Sequence, residues 1–249
     1  MRVYADADDL ARAARAEIVR RGRDLIEASG RFTLALAGGS TPRRLYAQLE
    51  ADDLDWGRVQ LVFGDERCVP PEHPESNYRM VRETLLDRVS VPAGNVHRVQ
   101  GELGAERAAA AYERVLRDLL AGQPRLDLVL LGVGEDGHTA SLFPGEPALA
   151  ETERWVVPGR SPRARAAGDG PDRVTLTLPV LNAASSVAFL AAGRGKARIV
   201  SELLGDGPGD GPGDGPGDAR GDELPAARVR PDGGRLIWML DRESAAAFA

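Results

Sequence analysis

Four polar turns, each directly after an apolar run, gather the residues able to do chemistry in this chain. The densest is Leu131-Gly132-Val133-Gly134-Glu135-Asp136-Gly137-His138-Thr139-Ala140. A neutral imidazole accepts a proton from water near pH 7, where few other side chains do. His138 therefore reads as a general base, with Asp136 or Glu135 orienting it or stabilising its charged form, or as a structural loop histidine. The other histidines offer less: His73 lies in a proline-rich loop and reads as solvated, and His97 reads as a strand residue. Gly38-Gly39-Ser40-Thr41-Pro42 joins an apolar run to a helix start. Its glycines admit close backbone approach, its first amides lack helical acceptors, and Ser40 and Thr41 add hydroxyls. Those are the makings of a phosphate site, or of an ordinary capped turn in which Thr41 accepts from free amides. It is not a P-loop, which needs longer spacing and a following lysine.

Phe63-Gly64-Asp65-Glu66-Arg67 brings two acids and a base to a loop, either as a cleft lining or as a structural ion-pair cluster; Ser76 and Asn77 add polar groups. Gly193-Arg194-Gly195-Lys196 places the chain's only lysine near a helix start, within reach of a phosphate. Arg173, before Val174-Thr175-Leu176, is a second candidate phosphate donor.

The elements that must position these groups alternate. Asp8 to Ala28 carries Leu10, Ala14, Ile18 and Leu25 at helical spacing. Short apolar runs at 32–37, 59–63, 126–131, 187–191 and 236–240 read as strands, with weaker candidates at 95–99 and 174–176. Helices are expected from Thr41 to about Leu49, from Ser76 to Leu86, from Ala105 to Leu120 and from Lys196 to Leu204, with Asp241 capping a short terminal one. Such alternation implies parallel pairing and a three-layer α/β/α domain, in which ligands sit beyond the carboxyl ends of the strands. The segment from Gly205 to Asp218 breaks the pattern with a Gly-Asp-Gly-Pro repeat. It has no apolar group to bury, so the chain is expected to be a single domain, 1–249, carrying a disordered insert at 205–221. Cation binding by the insert is disfavoured because a glycine-rich chain offers no preorganised cage.

Composition narrows the function. The chain is 249 residues long and 43% hydrophobic, enough for a sizeable core, with aromatics at only 5%. A net charge of −6 argues against nucleic acid or an anionic membrane as partner, since both demand a basic face. The single cysteine, Cys68, permits no internal disulfide and fits a reducing compartment. The first residues lack the apolar run of a secretory signal, and no stretch approaches the ~20 apolar residues of a membrane span. The expectation is a cytoplasmic protein, a monomer or weak dimer.

Taken together, the runs LALAGGSTP, VFGDERCVPPEHPESNYRM, LVLLGVGEDGHTASLFPG and RVTLTLPVLNAASSVAFLAAGRGKA resemble the 6-phosphogluconolactonase family. They occur in the family's order, and the resemblance covers about 5–240 outside the repeat, where the family's connection is usually shorter. The wider group includes glucosamine-6-phosphate deaminases and ribose-5-phosphate isomerases. The resemblance implies a modified Rossmann-like fold with a mostly parallel sheet and a small phosphosugar lactone as substrate. It implies that Gly39, Ser40 and Thr41 cradle the phosphate with Lys196 and Arg173, and that Asp65 and Arg67 line the pocket around the sugar ring. His138 is then the general base, supported by Asp136. On this expectation His138 activates a water that attacks the lactone carbonyl, and no metal, nucleotide cofactor or covalent intermediate is needed. A hexosamine-6-phosphate deaminase/isomerase is the alternative enzyme, although that group typically has Tyr where this chain has Arg67. A non-catalytic sugar-phosphate-binding module is the alternative outside enzymes, and it gives no reason to keep His138.

Overall fold

The structure, a computed structural model, describes residues 1–168, 170–205 and 224–248. The repeat expected as a disordered insert lies outside the described residues from 206 onward. Among the described residues ten strands run in chain order: β1 (Arg2–Tyr4), β2 (Phe32–Leu36), β3 (Val59–Phe63), β4 (Asp65–Arg67), β5 (Val96–His97), β6 (Leu128–Leu131), β7 (Val156–Gly159), β8 (Arg173–Leu176), β9 (Ser186–Ala191) and β10 (Arg235–Asp241). Between them lie α1 (Ala7–Ser29), α2 (Ser40–Tyr46), α3 (Asn77–Val81), α4 (Ala105–Leu119), α5 (Pro162–Ala167), α6 (Leu178–Ala183) and α7 (Ala197–Leu204).

Helix α1 begins where Asp6 accepts hydrogen bonds from the Asp8 and Asp9 amides, at 2.9 and 2.8 Å. It ends at Gly30, whose φ of 79° is the left-handed conformation that stops helices. Its periodic apolar stripe, Leu10, Ala14 and Ile18, is almost fully buried. All five residues of β2 and all four of β6 are buried. That is the expected state of strands covered on both faces, and it explains why their sequences are continuous rather than alternating.

Seven strands form one parallel sheet in the order β1-β10-β9-β6-β2-β3-β5. With helices between successive strands, this is the expected mostly parallel α/β architecture. Strand order reverses between β2 and β6: from β2 the sheet grows through β3, and from β6 through β9. Ligand sites in such sheets open at the carboxyl ends beside that reversal.

Three features depart from the sequence expectations. Strands β4, β8 and β7 leave the main sheet and form a small antiparallel one. The 174–176 run thus pairs antiparallel instead of continuing the parallel pattern. Helix α2 starts at Ser40 with Gly39 as its cap residue and no side-chain cap, so the hydroxyl of Thr41 does not cap it. The helix expected through Leu86 gives way after Val81 to one wider π turn, Arg82–Leu86. At the C-terminus Asp241 accepts from the Ser244 amide at 2.8 Å, starting a turn that leads into a short 3-10 segment at Ala246–Phe248. No helix among the described residues is long and apolar enough to cross a membrane.

Candidate active site

Two buried tyrosines fix the strand ends from which the site is built. The Tyr46 hydroxyl accepts from the Ala37 amide at 2.9 Å and donates to the Ala37 carbonyl at 3.0 Å, tying the end of β2 back onto α2. Tyr112, on α4, does the same for Phe63 at the end of β3, at 2.6 and 3.2 Å. Both strands therefore stop in a defined place, and the glycines that follow release the chain into loops.

Those loops enclose a cavity of about 220 Å³ beside the β2–β6 reversal. Gly39, Ser40 and Thr41 line it from the turn after β2, and His138 from the turn after β6. Asp65 and Arg67 enter from β4, Arg173 from β8, and Lys196 from the turn after β9. Of the residues singled out from the sequence, Gly39, Ser40, Thr41, Asp65, Arg67, Asn77, His138, Arg173 and Lys196 converge here; Glu66, Ser76, Glu135 and Asp136 do not line the cavity, although Asp136 contacts the imidazole that does.

The imidazole is held on one side only. Asp136 Oδ1 lies 2.5 Å from His138 Nδ1 and also accepts from the His138 backbone amide at 3.2 Å. Partial burial works to raise the Asp136 pKa, but the charge and hydrogen bonds of His138 outweigh it and hold the carboxyl below its ordinary value. An ionised Asp136 takes the Nδ1 proton as a hydrogen bond, which leaves Nε2 as the basic nitrogen. The ring packs at 4.7 Å from the Phe143 ring, a contact that limits its rotation. The other histidines are elsewhere: His97 Nε2 meets Gln60 Oε1 at 2.8 Å on β5, and His73 is exposed.

Another part of the cavity lining carries a lysine and free donors. Lys196 closes a 3-10 turn, Arg194–Lys196, and has no carboxylate partner among the described residues. The first amides of α2 have no acceptor within their helix, and the hydroxyls of Ser40 and Thr41 stand beside them. The Gly38 position is restricted by packing: a β-carbon there would lie 2.2 Å from Asn77 Oδ1.

The third wall carries two arginines side by side. Arg67 and Arg173 are cross-strand partners in the small sheet. Arg67 donates to the Glu75 carbonyl, and Arg173 lies over the Phe143 ring at 5.9 Å. The Nε atoms of both are buried without a hydrogen-bond partner. Burial and the neighbouring Arg67 charge lower the Arg173 pKa from its ordinary value. Two adjacent like charges, that of Arg173 largely desolvated, with spare donors make a wall that favours an anion.

Some of the site's supporting residues carry little signal in the sequence. Glu66 does not line the cavity. Its carboxylate accepts from the Arg67, Asn77 and Tyr78 amides, each at 2.7 Å, and from Ser76 Oγ at 3.1 Å. It therefore closes the start of α3, while burial pushes its pKa up. Ser141, buried beneath the His138 turn, donates to Asp65 Oδ2 at 2.6 Å. The Ser-Asn pair at 76–77 stands out as polar character, but nothing marks Ser141 beyond its place after His138.

Around one small cavity the structure gathers an imidazole held by a carboxylate, a lysine beside helix-start donors and two adjacent arginines, groups whose chemistry suits water activation and anion binding. Residues 5–238 match the model of the glucosamine-6-phosphate isomerases/6-phosphogluconolactonase family. The 6-phosphogluconolactonase of Rattus norvegicus is 40% identical over 98% of this chain and 91% of its own length. That of Homo sapiens is 41% identical over the same shares, 98% and 91%. The solved structure of 6-phosphogluconolactonase from Trypanosoma brucei superposes with a TM-score of 0.82 at 32% identity, covering 100% of this chain and 98% of that one. A monomeric glucosamine-6-phosphate deaminase, at 20% identity and a TM-score of 0.76, shares the fold. With this cavity, this sheet order and these relatives, the chain belongs to the glucosamine-6-phosphate isomerase/6-phosphogluconolactonase family.

Proposed function

We propose that this chain hydrolyses 6-phospho-D-glucono-1,5-lactone to 6-phosphogluconate, the lactonase step of the oxidative pentose phosphate pathway. The observation that carries the reading is that His138, held by Asp136, lines the same cavity as Lys196 and the Ser40–Thr41 turn. The substrate's phosphate lies against the Lys196 ammonium and the amides and hydroxyls of Gly39, Ser40 and Thr41. His138 Nε2 removes a proton from a water, which attacks the C1 carbonyl. Negative charge develops on the carbonyl oxygen, and Arg67 opposes it from the arginine wall, while Arg173 beside it joins Lys196 as a donor to the phosphate. The tetrahedral intermediate collapses with cleavage of the C1–ring-oxygen bond, and the imidazolium returns its proton to that oxygen. The 2.5 Å contact with Asp136 supports the imidazolium while it lasts. The same reading makes the chain a cytoplasmic enzyme, a monomer or weak dimer; its net charge of −6 supports a partner set without nucleic acid or membrane.

An assay that forms the lactone in situ and follows its loss tests the activity. Loss well above the spontaneous rate is expected, with no ammonia from glucosamine 6-phosphate. Ammonia release without faster lactone loss identifies the deaminase, and phosphate-dependent thermal stabilisation without turnover identifies a binding module. The phosphate assignment has its own test. Lys196→Ala is expected to raise KM by about 10- to 100-fold, the worth of a hydrogen bond to a charged group, with a smaller effect on kcat. An unchanged KM removes Lys196 from the phosphate site.

A further inference from the structure

We infer that Ser141 is a positioning residue that keeps the Asp65 carboxylate off the arginine wall, so that Arg67 and Arg173 stay available to the substrate. The inference rests on the lactonase reading above.

Asp65 and Thr175 face each other across β4 and β8, and Ser141 spans both. Its amide donates to Thr175 Oγ1 at 3.1 Å, and its hydroxyl donates to Asp65 Oδ2 at 2.6 Å. The other Asp65 oxygen accepts from Asn77 Nδ2 at 3.3 Å. Arg173 Nη1 stands 3.9 Å from the same Oδ2, too far for a hydrogen bond. Next to that carboxylate, the Nε atoms of Arg173 and of its strand neighbour Arg67 have no partner.

A carboxylate so close to a half-buried guanidinium ordinarily closes into a short, often bidentate pair. Closure across the 3.9 Å that now separates them would cancel one of the two charges on the wall. The hydroxyl of Ser141 pulls on the oxygen nearest Arg173 and Asn77 on the other, so together they hold the carboxylate in the orientation that leaves Arg173 at 3.9 Å. Ser141 is 1% exposed and does not line the cavity, so it acts through Asp65 and not on substrate. A hydroxyl suits this role because it satisfies the carboxylate without adding a charge that would repel Arg173. A plain packing role for Ser141 predicts the same loss whatever stands at position 65, whereas diversion of the carboxylate predicts a loss that depends on its charge.

The experiment is a cycle of Ser141→Ala, Asp65→Asn and the double variant, read by kcat, KM and calorimetric titration with 6-phosphogluconate. Ser141→Ala is expected to lower both kcat/KM and 6-phosphogluconate affinity by about 10- to 100-fold, the worth of a hydrogen bond to a charged group. In the Asp65→Asn background the same serine change is expected to cost less than about 3-fold, because a neutral amide does not cancel a guanidinium charge. Equal losses in both backgrounds overturn the inference, as does a Ser141→Ala enzyme that binds and turns over like the parent. If Ser141→Ala does not fold, Ser141→Cys takes its place in the cycle, keeping the bulk while weakening the donor. A parent chain without lactone turnover would overturn the activity instead, and the 6-phosphogluconate titrations would still judge Ser141.

Discussion

Replacement of His138 by alanine is expected to lower kcat by about 10²–10⁴-fold, the usual contribution of a positioned general base. KM should change little, because the proposed phosphate donors lie on other loops. The expectation follows from how the ring is held. Nδ1 is committed to Asp136 at 2.5 Å, and the Phe143 ring at 4.7 Å backs the imidazole, so a single nitrogen is left to act as the base. The lactone also hydrolyses unaided, so the measurement must subtract the rate without enzyme. Turnover by His138→Ala within a few-fold of the parent would show that another group activates the water. Calorimetric titration of the variant with 6-phosphogluconate separates the two kinds of loss: retained affinity with lost turnover places the defect in the chemical step.

Much of this site can be read from residue order alone. Apolar runs ending in glycine mark β2, β3, β6 and β9, and a parallel sheet puts all four loops on one edge. The chemistry-bearing side chains Ser40, Asp65, His138 and Lys196 lie in the loops that follow those runs. The small antiparallel sheet was not legible, for physical reasons. Strand β4 is Asp65-Glu66-Arg67, three charged residues with no strand propensity, and it becomes a strand only because β8, about a hundred residues later, pairs with it. Strand β7 contains Pro158 and Gly159, which speak against a strand unless it lies at an edge, and β7 is an edge. The adjacency of Arg67 and Arg173 depends on that pairing, so neither sequence segment announces the arginine wall. The Ser141–Asp65 bond is equally non-local. The missing cap at Thr41 has a simpler cause: in α2 the Ser-Thr pair lies inside the first turn, one residue past the cap, where both residues line the cavity instead of serving the helix.

Gly134→Ala is expected to damage the enzyme nearly as much as loss of the base itself, although position 134 supplies no side chain to the reaction. A β-carbon built at Gly134 would lie 2.1 Å from His138 Nδ1, 2.2 Å from its Cε1 and 2.5 Å from Asp136 Oδ1. No real contact is that short, so the imidazole and the carboxylate must both move. The backbone has little room to yield, because the Gly134 amide donates to the His138 carbonyl at 2.8 Å and closes the turn. The Thr139 hydroxyl holds the turn's base by donating to the Gly132 carbonyl at 2.8 Å. The methyl group therefore pushes the ring off its partner and toward the cavity. Well-oriented catalytic groups lose on the order of 10²-fold for a displacement of about 1 Å, and this clash exceeds that. The expected result is a fall in kcat of at least about 10²-fold with the overall fold retained, since Gly134 lies in a loop and its neighbours are the two catalytic-site side chains and not the core. Far-ultraviolet circular dichroism checks the fold, and the in situ lactone assay checks the rate. The imidazole proton signals in an NMR spectrum should shift from their positions in the parent, because Nδ1 has lost Asp136. A fully active Gly134→Ala enzyme would mean that the observed contact between His138 and Asp136 is not the geometry that turns over substrate, and it would undo the assigned roles of both residues at once.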